Sequence, residues 1–232
     1  MTQTSAPRRG RPEWLVPAGL ILLSVVPMIA GASRLTQLTT GATVTAENSR
    51  FFDSPVPIVV HIVGSLLFAV LGALQFAPSL RRRRWHRMSG RVAAPAGLAS
   101  ALSGLWMAVA YDLPAPSGLA LMVMRLGFGT AMAAGIVIAF VAIRSGDVRT
   151  HRAWMTRAYA IAMGAGTQVL TFAPWTLAFG APGEAVHAVL MGAGWVINLA
   201  VAELVIRGWS RRDIRRHPAP PAPTAVTGAR LS

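Results

Sequence analysis

Histidine is the residue type in this chain whose placement points to chemistry. Four of the five histidines, His61, His86, His151 and His187, sit at the ends of long apolar segments. His61 and His187 open segments that start on one side of a membrane, and His86 and His151 open segments that start on the other. Two imidazoles on facing helices can ligate one haem iron axially, so two such levels are the pattern a two-haem b-type electron carrier needs. Arg125 lies about two turns into its own segment, within roughly 10 Å of His61 and His187 in depth at the helical rise. That depth suits a haem propionate. Arg157 takes the same place on the opposite side, where Glu203 lies at similar depth with opposite charge, an interior ion pair or a proton relay. The histidines also have a plainer reading. His61 and His187 hydrogen-bond neighbouring helices, while Arg125 snorkels outward or pairs with Asp112 or Glu184. His86 and His151, each followed by Arg (Arg87, Arg152) and flanked by Trp85 and Trp154, then serve as interface anchors.

The elements that must position these residues are membrane spans. Hydrophobic residues make up 53% of the 232 and charged ones only 13%, against about 25% charged in a soluble domain. A spanning helix needs about 20 mostly apolar residues, and six such stretches are present: Trp14–Ser33, Pro55–Phe76, Val92–Tyr111, Gly118–Ile143, Ala153–Phe179 and Ala185–Arg207. Between them lie turn sequences such as Ser145-Gly146-Asp147 and Gly180-Ala181-Pro182-Gly183. The fold class is therefore all-α, an integral membrane bundle of six transmembrane helices. Arg8, Arg9 and Arg11 ahead of the first run, with Ala30-Gly31-Ala32 near its end, also resemble a signal peptide. A retained helix is the preferred reading, because the run is long enough to span.

Positive charge then assigns the sides. Every one of the 22 basic residues is Arg. They crowd the N-terminal tail, the second-to-third connection (Arg81 to Arg84, Arg87, Arg91), the fourth-to-fifth (Arg144, Arg149, Arg152) and the C-terminal tail from Arg207. The alternate connections are nearly bare, with Arg34 and Arg50 in the first. By the positive-inside rule both termini are cytoplasmic, in a bacterial inner membrane. The domain plan is a basic tail at 1–13, the membrane domain at 14–207, and a basic then Pro/Ala-rich disordered tail at 208–232 that includes His217. The Arg clusters meet anionic lipid headgroups, and this loop-bound charge argues for no nucleic-acid partner. No motif stands out in residues 34–54.

The absence of cysteine excludes thiolate-ligated clusters and covalent c-type haem attachment. The methionines read as packing. The glycine pairs, Gly164 and Gly166 among them, read as helix-contact sites. No hydrolase, zinc-helix or phosphate-loop pattern is present, nor a broken helix pair with polar cavity residues of the kind transporters use.

Arg84-Trp85-His86-Arg87-Met88-Ser89-Gly90-Arg91 resembles one signature of the bacterial multi-pass membrane proteins of domain-of-unknown-function family 2306. So does Thr150-His151-Arg152-Ala153-Trp154-Met155-Thr156-Arg157-Ala158-Tyr159, and so does His61 with Gly64, Gly72, Gln75 and Phe76. The resemblance covers about residues 15 to 207 and implies a multi-pass membrane protein without implying an activity. In arrangement only, four histidines on spans two, three, five and six also resemble transmembrane di-haem b-type cytochromes. This chain departs from them in the boundary placement of His86 and His151 and in one intervening span. Two function classes follow. One is a transmembrane electron carrier holding haem b on His61 and His187, with a second on His86 and His151 and with Arg125 and Arg157 against propionates. The other is a small-molecule or proton-coupled transporter, or a non-catalytic accessory protein.

Overall fold

The fold is described from a computed structural model, which covers residues 13–81, 84–113 and 116–216. The basic N-terminal tail, Arg82, Arg83 and the Pro/Ala-rich tail with His217 lie outside the described residues.

The described chain is helical. Its elements are α1 (Leu15–Thr40), α2 (Ser49–Asp53), α3 (Pro55–Gln75), α4 (Pro78–Arg81), α5 (Arg84–Ala110), α6 (Leu119–Arg144), α7 (Val148–Ala162), α8 (Gly164–Phe179) and α9 (Glu184–Arg216). Five of them, α1, α3, α5, α6 and α9, are long and apolar enough to cross a membrane. Their boundaries follow local chemistry. Pro55 opens α3 in the first turn, where its missing N–H costs nothing. Gly41, with φ +66°, closes α1 in the left-handed conformation. Asp147 caps α7 by accepting from the Thr150 N–H at 2.9 Å, and those bonds hold its carboxyl below the usual aspartate range.

The helices run past the apolar limits read from the sequence. α1 continues to Thr40 instead of stopping near Ser33, and α5 begins at Arg84, which places His86 in its first turn. α9 continues to Arg216. Polar ends of a helix add no apolar signal, yet their backbone bonds persist where solvent or headgroups take the side chains.

The fifth apolar stretch departs most from expectation. It is not one helix but two, α7 and α8, with Met163 between them. The reading of Ala153–Phe179 as one unbroken stretch is corrected here. Met163 N–H still reaches Tyr159 O at 2.9 Å, but its own carbonyl is shared by Gly166 N–H (3.1 Å) and Thr167 N–H (3.3 Å). Tightening of this kind marks an interrupted ladder. Gly164-Ala165-Gly166 follows directly, and two glycines within three residues weaken a helix at that point. Tertiary packing then uses both. A Cβ on Gly166 would lie 2.2 Å from the Leu23 carbonyl of α1, and one on Gly164 would lie 2.3 Å from the Trp195 ring of α9.

The bundle has two ends. At the first, α2, the start of α3, the end of α5 and the starts of α6 and α9 come together. Tyr111 Oη bonds Ser54 O at 2.6 Å there, and the Glu184 side chain lies against Gly118 at the start of α6. At the second, Gln75 Nε2 of α3 donates to Ser89 Oγ of α5 at 2.7 Å. Between the ends, Phe68, Met132, Ile136, Tyr159, Ile161 and Met163 form the buried core. Large apolar side chains such as Leu22, Leu170 and Leu177 point outward, Leu177 being 88% exposed. Such a surface suits lipid and not water.

Candidate functional site: a cationic cavity beside the helix break

A cavity of about 530 Å³ runs from the α2 end into the middle of the bundle, within the size range of small-molecule sites. Its walls come from α1, α2, α3, α5, α6, the end of α7, α8 and α9, and Met163 at the break is among the lining residues. Most of the lining is apolar, with Met28, Phe51, Leu105, Phe128, Met132 and Trp195 prominent. Polar groups enter at a few points: Ser24, Arg50, His61, Ser65, Ser100, Tyr111, Arg125 and Gln168. Among the described residues no Asp or Glu lines it.

His61 is held by α5. Its Nδ1 lies 2.9 Å from Ser100 O, and Gly104 leaves room for the ring, since a Cβ there would sit 3.2 Å from Cε1. A backbone carbonyl can only accept, so Nδ1 carries the proton and Nε2 keeps the lone pair. A metal-ligating histidine is usually oriented in this way. Beside it, Ser65 Oγ and Ser100 Oγ are 2.6 Å apart.

Arg125 lies on α6, partly buried. Among the described residues no carboxylate stands within ion-pair distance of it, and Glu184 goes to the start of α6 instead. Negative charge at that helix start is favourable. Arg50, on the short α2, is the cavity residue that the sequence reading missed. Its guanidinium stacks on Phe51, 4.3 Å from the ring centroid, with Arg34 over the same ring at 4.5 Å. One of its nitrogens, Nη1, donates to Glu47 O at 2.5 Å, while Nε is buried with no hydrogen-bond partner. Burial first, and then repulsion from Arg34, pushes the Arg50 guanidinium below the usual arginine range. Arg50 and Arg125 both line the cavity. The available signal in the sequence was Arg50-Phe51 on a side otherwise poor in Arg.

The remaining predicted residues lie elsewhere. His187, in the first turn of α9, meets Phe172 of α8 edge-on at 4.9 Å and is not among the cavity's lining residues. His151 Nδ1 lies 2.9 Å from Ala139 O of α6. His86 is half-buried at the start of α5, where its carbonyl receives Gln75 Nε2 at 3.4 Å. Arg157 and Glu203 form a two-point ion pair, Nε to Oε1 at 2.5 Å and Nη2 to Oε2 at 3.1 Å, with the Trp154 ring 5.0 Å from the guanidinium carbon. Arg152 lies over Trp209, 3.3 Å from its centroid. Among the described residues no group of three or more His, Cys, Asp or Glu is placed to hold a metal ion.

No curated protein and no solved structure matches this chain. The family described as predicted membrane protein (DUF2306) matches residues 58–206, more than half of the chain and every cavity helix but α1 and α2. With its apolar helices and outward-facing aliphatic surface, the chain belongs to that family of multi-pass membrane proteins.

Proposed function

We propose that this protein binds a small molecule inside the membrane, as a carrier-type membrane protein does. One observation carries the reading: a cavity reaching mid-bundle whose lining includes an interrupted helix at Met163. Carriers use discontinuous helices at their binding sites because the break frees backbone groups and lets the two halves move separately. In this reading α7 and α8 together make one span, so the bundle has six. Both termini are cytoplasmic in a bacterial inner membrane, since Arg87, Arg91, Arg144, Arg149 and Arg152 gather at the α4 end. The cavity then faces the outer side.

Retained ligand tests it. Native mass spectrometry from a non-ionic detergent should find the protein carrying a small-molecule adduct that Leu66→Trp, a cavity-filling change, loses. An adduct-free protein indistinguishable from Leu66→Trp sinks the reading. Orientation has its own test, made simple by the absence of cysteine. In intact cells an impermeant maleimide should label Thr43→Cys and spare Arg149→Cys. The reverse pattern inverts the topology.

A second reading is supported by the His61 geometry. With Nδ1 bonded to Ser100 O, Nε2 is the atom that would hold haem b iron, and Arg125 in the same cavity would face a propionate. Haem would supply one-electron chemistry. The chain's part would be to orient the ring, exclude water and neutralise charge. A dithionite-reduced minus air-oxidised spectrum of protein expressed with haem supplied should show b-type bands that His61→Ala removes. Colourless, folded protein rejects this reading.

A further inference from the structure

Two guanidinium groups, Arg50 and Arg125, line one mostly apolar cavity in which, among the described residues, no carboxylate supplies a counter-charge. Arg157, by contrast, meets Glu203 in a two-point ion pair. Arg50 and Arg125 both line a space large enough for a ligand, and among the described residues Arg50 Nε is buried with no hydrogen-bond partner. Beyond them the lining turns to Met28, Leu105, Phe128, Met132 and Trp195. From Arg125 to Met132 along α6 the wall descends about 10 Å at the helical rise. Charge at one part of the wall and a mostly apolar remainder, interrupted by Ser24, His61, Ser65, Ser100 and Gln168, set the kind of molecule the cavity would take.

We propose that Arg50 and Arg125 hold the anionic head of a single-chain amphiphile, a carboxylate or phosphate monoester, whose tail fills the apolar part of the cavity. The proposal rests on the small-molecule reading above and names its ligand class. Both head chemistries accept charge-assisted hydrogen bonds from guanidinium forks. A neutral head would leave both guanidinium charges without a counter-charge.

The test is binding by titration calorimetry to the full chain in a neutral detergent. The charged probes are palmitate and palmitoyl-lysophosphatidic acid, the neutral one is methyl palmitate, and the tail-less ones are acetate and inorganic phosphate. The two charged amphiphiles should bind, the ester about tenfold or more weakly, and the tail-less anions not measurably. Arg50→Gln and Arg125→Gln should each weaken the charged amphiphiles about tenfold without changing the ester. Arg125→Lys should keep the preference for charge. Leu66→Trp should weaken all three tailed probes. Ester binding as tight as palmitate, or palmitate binding indifferent to both Gln variants, overturns the anion site. If Leu66→Trp still abolishes that binding, the cavity reading survives it. Acetate or phosphate binding as tightly as the amphiphiles assigns the arginines to a soluble anion and overturns the tail. Failure of every probe on the unaltered protein, with Leu66→Trp no different, removes both readings. Thermal denaturation of each ligand-free variant confirms that lost binding is not lost folding.

Discussion

The two ends of the bundle use the same side chains to different purpose. At the α4 end and just inside it, Ser79 Oγ is buried without a partner, but the charged pair and the named side chains are matched: Arg157 with Glu203, His151 with Ala139 O, Gln75 with Ser89. Nearer the α2 end the His61 ring is matched too, through Ser100 O, but among the described residues Arg125 meets no carboxylate and Arg50 Nε meets no acceptor. A charge in a membrane protein that finds a partner is structural. One that faces a cavity without a partner has been left for something else. Residue type does not separate the two cases; surroundings do.

Substitutions can break this contrast or sharpen it. The largest effect is expected in the packed half. A Cβ on Gly72 would lie 2.2 Å from the Tyr159 ring, whose hydroxyl bonds Ala69 O at 2.7 Å. Gly72→Val should therefore cost about 1–3 kcal/mol or more of overpacking, read as a lower detergent melting temperature. A melt like that of the unaltered protein would mean that this half yields more easily than its contacts imply.

Glu203→Gln comes next. It leaves Arg157 without its charge partner, and because both side chains are about a third exposed the cost is about 1 kcal/mol, below that of a fully buried pair. Arg125→Leu should move the melt the opposite way, a rise of roughly 0.5 kcal/mol or less, since it removes a charge that has no partner. Two destabilisations of similar size would erase the distinction between the ends.

The smallest effect is Asp147→Ala. Loss of the Thr150 bond should lower the melting temperature slightly at neutral pH. Asp147 is more acidic folded than unfolded, so its contribution is complete above the unfolded value of about 4 and disappears as pH falls through the lowered folded value. The melts of variant and parent should converge in acid. A gap that persists there would assign the loss to something other than the carboxylate.

Much of this was legible in the chain. Apolar stretches near Leu15, Pro55, Val92, Leu119 and Ala185 became helices because hydropathy and helix-end chemistry are local. Gly146 and Gly180 broke the chain as expected, both with positive φ. Membership of the DUF2306 family was readable from the His-Arg and His-x-x-Trp-Met runs. The break at Met163 was not. Gly164-Ala165-Gly166 weakens a helix wherever it occurs, but the interruption pairs with the close approach of Leu23 and Trp195, which come from distant parts of the chain.

The sequence by itself determined where the backbone must be helical and which segments must meet lipid, because an unpaired peptide group in hydrocarbon costs too much for any alternative. The expectation that His61, Arg125 and His187 lie at similar depths also came from the sequence, since it is counted along single helices. Which of them share a space was decided only by tertiary structure, because that depends on which faces meet. His61 turned to α5 and His187 to α8, while Arg50, on a five-residue helix in a connection without a recognisable motif, came to the cavity beside Arg125.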